Sequence, residues 1–138
     1  MAFHPYLMFG GNCRQALTRY QEVFGGDLQI MTMAEMPGDD PMKDEHPDIV
    51  MHGALTFDDN LLMASDDPTG GFDGVRGIHV SYSTTDATKA QQVFDGLAEG
   101  GTVTMPLAET FWAPAFGMCV DRFGIPWMVN VEGAPPAS

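Results

Sequence analysis

The side chains of this chain with chemistry to offer are few, and His79 is the first of them. It stands in the alternating run Ile78-His79-Val80-Ser81-Tyr82-Ser83, which sets its imidazole on one strand face with Ser81 and Ser83. An imidazole titrates near neutral pH, so His79 reads as a general acid or base, or as a hydrogen-bond donor to a ligand. It reads equally as a buried histidine satisfied by a neighbouring strand. His52 interrupts the apolar run Ile49-Val50-Met51 and precedes Gly53, whose missing side chain leaves space beside it. Asp66 and Asp67, followed by Pro68, close another apolar run, where turn chemistry and catalysis fit equally well. His52, His79 and Asp66 together form one candidate set for a divalent metal, although they have no diagnostic spacing.

A second group is aromatic. Phe111, Trp112, Phe116 and Trp127 fall within 17 residues of sequence. Trp127 shares strand parity with Val129 and Val131, which predicts that it faces a helix. Trp112 lies between Thr110 and Pro114 on a loop or strand end, where its ring can close over a planar ligand. Glu109 is the nearest carboxylate and can orient a polar group or pair with a cation. Of the eleven methionines, Met31, Met33, Met51, Met63, Met105, Met118 and Met128 fall on expected strands. Thioethers fill irregular apolar space, which predicts core positions, with any cavity-facing subset forming a forgiving pocket.

The elements that must position these residues come from an internal repeat. At an offset of 74 residues, Asn12 falls on Asp86, Ala16 on Ala90, Tyr20 on Phe94, Val23 on Leu97 and Gly26 on Gly100. Asn12 and Asp86 are N-cap types, apolar residues follow at helical spacing, and Gly25-Gly26 and Gly100-Gly101 stop each helix. A short apolar run precedes each helix, Tyr6 to Phe9 and Ile78 to Tyr82, and three strand-like segments follow it. Those are 28–33, 49–57 and 61–65, then 102–109, 116–120 and 127–131, with turns at Asp58-Asp59-Asn60 and Asp121-Arg122-Phe123-Gly124. The unit is βαβββ, twice, in the α+β class: module 1 over 3–67, a Gly-rich linker over 68–77 and module 2 over 78–132. Residues 33–48, rich in Pro and acid, read as a long loop that is disordered, covers a cavity or reaches a second subunit.

The duplicated unit, with Glu109-Thr110-Phe111-Trp112 and Phe123-Gly124-Ile125-Pro126-Trp127, resembles the vicinal oxygen chelate superfamily and, within it, the PhnB-like branch. The resemblance implies one 138-residue domain of the glyoxalase/bleomycin-resistance type and a homodimer. It also implies a cavity between curved sheets. Metal-dependent members hold a divalent ion with His or Glu on the first and last strand of each module. The repeat puts those places at Pro5, His79, Met63 and Met128, of which only His79 ligates a hard metal. His4 is one residue away, which by alternation aims it at the opposite face. No metal or other cofactor is therefore expected. Some members carry the label 3-demethylubiquinone methyltransferase, yet the parallel α/β sheet and Gly-rich loop of the common S-adenosylmethionine enzymes have no counterpart around Gly10-Gly11.

Composition bounds the rest. Six Lys and Arg against nineteen Asp and Glu give a net charge of −13, which repels phosphate backbones and anionic lipid, so nucleic acid and membrane are not expected partners. The start of the chain has no signal-peptide pattern and the two cysteines read as free thiols, which points to the cytoplasm. Cys13, following the Asn12 cap, is a candidate for activation by a helix N-terminus, but no histidine accompanies it. Three readings follow. The first is a metal-independent binder of an unknown small molecule through His52, Asp66, Glu109, Trp112, Phe116 and Met128. The second is a lyase, isomerase or oxygenase acting on a small oxygenated substrate, with His79 as acid or base. The third is a non-catalytic assembly or regulatory protein.

Overall fold

In the helices over 13–24 and 87–98 the apolar residues recur on one face, and each of these lies against a four-stranded sheet. The computed structural model describes residues 2–39, 43 and 45–133. Two compact units, Met1–Gly74 and Val75–Ser138, divide the chain. In the first, β1 (Tyr6–Phe9), α1 (Cys13–Phe24), β2 (Asp27–Thr32), a 3-10 turn (Met33–Glu35), β3 (Val50–Phe57) and β4 (Asn60–Asp66) follow in order. The second runs β5 (Val80–Thr84), α2 (Ala87–Ala98), β6 (Thr102–Ala108), β7 (Ala115–Val120) and β8 (Pro126–Val131). The sheets have the orders β1-β4-β3-β2 and β5-β8-β7-β6, with the first pair of each parallel and the other pairs antiparallel. The repeated βαβββ unit is therefore present, in the α+β class.

The helix side of each sheet holds its core. Phe9, Leu17, Tyr20 and Leu55 are fully buried in the first unit, and Val93, Leu97, Trp127 and Val129 are buried in the second. Trp127 faces α2, as its parity with Val129 and Val131 predicts. The glycine stops also hold: α1 ends at Phe24 and Gly25 takes φ 78°, where its N–H caps Gln21 O at 2.7 Å. After α2 the cap bond comes from Glu99 N to Asp95 O at 3.1 Å, and Gly100 follows at φ 76°. Asp58 and Asp59 take φ 46° and 64° in the β3–β4 hairpin, the left-handed pair that a two-residue turn requires.

Three expectations fail. Asn12 makes no side-chain cap bond, whereas Asp86 Oδ1 accepts from Thr88 N and Lys89 N at 2.9 and 3.1 Å. The methionines are not core: among those seven only Met33 is buried, at 6% exposure, and it sits in the 3-10 turn rather than on a strand. The space inferred beside His52 is absent, because Gly53 faces α1 and an added Cβ there would strike Leu17 Cδ1. Of the 33–48 loop, residues 40–42 and 44 lie outside the described residues, as does the tail from 134. The loop's ends are tied down by Met33 N to Ile49 O at 2.9 Å and Ala34 N to Pro47 O at 3.1 Å.

Candidate functional site

Strand register defines the face of each sheet turned away from its helix. In the first unit Tyr6 pairs with Met63, which pairs with Ala54; one step along, Met8 pairs with Ser65, and Met31 with His52. In the second, Ser81 pairs with Met128, which pairs with Met118; one step along, Ser83 pairs with Asn130, which pairs with Phe116. The two units thus place Tyr6 and Ser81, Met63 and Met128, and Ser65 and Asn130 at equivalent positions. Both open faces are rich in methionine. That chemistry is apolar and polarizable, without a built-in charge.

The second unit carries the aromatic group. Thr110 locks a tight turn: its N–H donates to Ala113 O at 3.1 Å, and Ala113 N donates back to Thr110 Oγ1 at 3.2 Å. With Ala113 buried as the anchor, Phe111 and Trp112 are left outward at 86% and 47% exposure. Phe111 packs edge-on to Trp112 with centroids 4.7 Å apart, and Trp112 edge-on to Phe116 at 5.5 Å. Phe116 lies beside Asn130 in the ladder. Asn130 Oδ1 is buried and has no hydrogen-bond partner among the described residues. Sequence reasoning missed Asn130, because an asparagine alternating with valines says nothing about whether its amide is satisfied. Glu109 is exposed just after β6, outside the ladder.

His79 is not on the fifth strand. The β5–β8 ladder begins at Val80 and Trp127, and the next β8 residue, Pro126, has no N–H with which to extend it. His79 is left exposed just before the strand, with the parity of Ser81, and no described residue bonds its ring. The register also revises His4. Tyr6, equivalent to Ser81, puts His4 in the place equivalent to His79, while Pro5 has helix-side parity and its carbonyl accepts from Met63 N at 3.1 Å. Helices repeat at 74 residues but these strands at 75, and one residue exchanges the faces.

Asp66 belongs to the scaffold. It is 2% exposed and has the helix-side parity of its ladder partner Phe9. Its Oδ1 accepts from Gly11 N and Cys13 N at 2.9 and 3.0 Å, and its Oδ2 from Val50 N at 3.0 Å. The carboxylate thus fills the N-terminus of α1, the place where a helix would otherwise take an anion, and replaces the cap expected of Asn12. His52 is on the opposite face, exposed, with Nδ1 3.3 Å from Tyr6 Oη and ring centroids 5.9 Å apart. His52 and Asp66 therefore do not converge, and the metal set of His52, His79 and Asp66 is not assembled. Among the described residues no three His, Cys, Asp or Glu side chains form a group able to hold a metal ion.

Neither thiol is activated. Burial, reinforced by the Asp66 carboxylate, pushes Cys13 up to about 12, and burial with Asp121 pushes Cys119 up to about 11. A cleft of about 470 Å³ in the first unit is lined by residues including Gly10, Glu45, His46, Asp48 and Asp67, so that Asp67 lies on it while His52, Asp66 and the aromatic group do not.

Comparison with known proteins agrees with this architecture. The model of the 3-demethylubiquinone-9 3-methyltransferase family matches residues 1–130. Protein YjdN of Escherichia coli (strain K12) is 32% identical over 145 residues, covering 99% of both chains. The crystal structure of protein PA1353 from Pseudomonas aeruginosa has a TM-score of 0.86 at 42% identity, covering 96% of this chain and 98% of that one. A glyoxylase/bleomycin resistance protein/dioxygenase domain from Frankia, 18% identical, shares the fold with a TM-score of 0.62 over 96% of this chain and 98% of its own. The chain belongs to the 3-demethylubiquinone-9 3-methyltransferase family, on a glyoxalase/bleomycin-resistance fold.

Proposed function

We propose that this protein binds a small molecule on the open face of its second sheet, without the metal centre that superfamily enzymes use. The observation that carries the reading is the run of Phe111, Trp112 and Phe116 leading to the buried, unbonded Asn130 Oδ1. Exposed aromatic rings held by a locked turn offer stacking surface at little entropic cost, and soluble proteins seldom leave such groups uncovered without use. Met63 and Met128 stand where the resemblance would put metal-binding carboxylates, and thioethers do not hold hard divalent ions. Methyl transfer from S-adenosylmethionine is not the reading, despite the family's name: the sheets are mixed, and Asp66 occupies the N-terminus of the helix that follows Gly10-Gly11.

A thermal-shift screen of small aromatic compounds, run beside divalent ions, tests this reading. Ligand stabilisation that is lost in Trp112→Ala and Phe116→Ala is expected. Stoichiometric metal uptake that raises the melting temperature by several degrees would overturn it.

A second reading, acid–base chemistry on a small oxygenated substrate, is favoured by the Tyr6–His52 contact rather than by His79, whose ring no described residue bonds. Turnover that survives His52→Ala and Tyr6→Phe would remove that assignment. The protein is further proposed to act in the cytoplasm, and as a homodimer; the dimer is supported by the exposed apolar side chains of Phe3, at 102%, and Ile78, at 69%. Light scattering that gives a monomer mass would refute the dimer.

A further inference from the structure

We infer that the open face of the second sheet binds a soft monovalent metal ion, Cu⁺ or its analogue Ag⁺, through the thioethers of Met105, Met118 and Met128. Met128 on β8 is the register partner of Met118 on β7, and Met118 is the partner of Met105 on β6. Register partners present their side chains to one face with Cβ atoms about 5 Å apart, so three thioethers stand in a row across three strands. Ser81 ends the row on β5. Met118 and Met128 are half-buried and Met105 is 37% exposed, so all three are open to solvent. The repeat supplies its own control. In the first unit the same row reads Tyr6, Met63, Ala54 and Gln29, and among the described residues there no two methionines are register partners.

Thioethers are soft, neutral donors that select Cu⁺ and leave hard divalent ions to oxygen and imidazole. No His, Asp or Glu stands in the row to favour Mg²⁺ or Zn²⁺. A methionine side chain has three rotatable bonds, so the outer two can lean toward the central one. β6 is an edge strand, and its ladder is irregular on both sides of Met105, between 103 and 105 and between 105 and 108. Such irregularities re-aim a side chain, and here they let Met105 turn toward its partner. Neither this row nor the next, Ser83, Asn130 and Phe116, holds a Lys or Arg, and a net charge of −13 draws cations. The aromatic run joins the sheet through Phe116 in that next row, so the inference goes beyond the small-molecule reading and does not rest on it. The ion is monovalent, unlike those whose uptake would overturn that reading.

The test labels the whole protein with ¹³C at its eleven methionine methyl groups, assigned by Met→Leu substitution, and titrates silver nitrate in chloride-free buffer. Silver is diamagnetic and needs no reductant. By one equivalent the Met105, Met118 and Met128 signals should shift together while those of Met8, Met31 and Met63 stay in place. Cu⁺ held reduced with ascorbate should move the same three, and Zn²⁺ and Mg²⁺ none. Met118→Leu, close in volume, should weaken silver by about tenfold or more, whereas Met63→Leu should leave its affinity unchanged. If Met118→Leu does not fold, Met105→Leu on the exposed edge decides in the same way. A Cys13→Ala, Cys119→Ala double variant should keep the three shifts, since both thiols are buried. Shifts that vanish in the double variant, that spread equally to Met8 and Met31, or that survive Met118→Leu at wild-type affinity overturn the inference. So does silence with Cu⁺. The small-molecule reading, tested by aromatic compounds, stands or falls apart from these results.

Discussion

Trp127 Nε1 donates to Asp121 Oδ2 over 2.8 Å, and both residues are buried. The other oxygen of Asp121 accepts from Phe123 N and Ile125 N, each at 2.9 Å, so one carboxylate closes the β7–β8 turn and anchors the indole of the final strand. Asp121→Ala should lower the unfolding free energy by about 3 kcal/mol, and Trp127→Phe by about 1–2 kcal/mol, because buried donors lose a charged acceptor. Urea denaturation measures both, and a cost below half a kilocalorie for Asp121→Ala would contradict this account.

Asp66 gives a matching expectation on the first unit. Removing its carboxylate leaves three backbone N–H groups unpaired at the start of α1 and of β3, for a loss of about 3 kcal/mol in Asp66→Ala. Any small molecule that binds the second sheet should keep its affinity in whatever fraction of the variant remains folded. A selective loss of binding at unchanged stability would return Asp66 to the list of ligand contacts.

Gly117 and Gly53 occupy equivalent register positions on the helix side of their sheets. An added Cβ at Gly117 would stand 2.9 Å from Phe94 Cε2 and 2.9 Å from Leu107 Cα. The backbone atom cannot move aside without disturbing β6, so Gly117→Ala should destabilise by about 1–3 kcal/mol. Gly53→Ala presses on the end of the Leu17 side chain, a softer obstacle, and should cost less. Thermal melts of the two variants give the comparison, and the reverse order would show that β6 yields more readily than Leu17.

The thiols predict an alkaline limit. Cys13 and Cys119 ionise with less ease in the folded chain, at about 12 and 11 against 9.0 for a free thiol, so the native state holds their protons more tightly. The unfolded chain releases them first, and the stability gained from burying neutral thiols is complete below pH 9 and lost as pH rises towards 11 to 12. Urea midpoints should fall between pH 9 and 10.5, and less so in a Cys13→Ala, Cys119→Ala double variant. Thiol reagents at pH 8 should label the native protein only at its rate of opening; rapid labelling of either cysteine would refute the burial assignment.

The chain has two tryptophans, and their environments differ. Trp112 is 47% exposed and Trp127 2%, so acrylamide should quench Trp112 and spare Trp127. In Trp112→Phe the remaining emission should be blue-shifted and nearly resistant to the quencher. Strong residual quenching would place Trp127 nearer solvent than its bond to Asp121 allows.

Local patterns carried the fold. Helical spacing from Ala16 to Phe24 and from Ala90 to Leu97, the glycine stops and the period of two in β8 are all decided by neighbours in sequence, and α1, α2 and β8 follow them. Contacts across the chain were not legible. Asp66 reaches Gly11 and Cys13 from more than fifty residues away and displaces the cap that Asn12 seemed to offer. His79 falls off its strand because Pro126, remote in sequence, ends the ladder. His4 changes face because the repeat has a different length in strands and helices. The clustering of Phe111, Trp112 and Phe116 was foreseeable from their nearness in sequence, whereas the unbonded oxygen of Asn130 is a property of surroundings that only three dimensions supply.

Each sheet divides its labour by parity: side chains that grip the helix alternate with those on the open face. Met8, Met31, Ser81, Ser83 and Met128 all belong to the second set, and none of them is buried. Such positions can be exchanged without reworking the core, so a scaffold of this kind can acquire a new specificity by substitutions that leave its folding untouched. Descendants of one ancestral chain can thereby diverge in what they recognise while remaining superimposable, and a designer who wants a different pocket can vary these residues as a library on an unchanged frame.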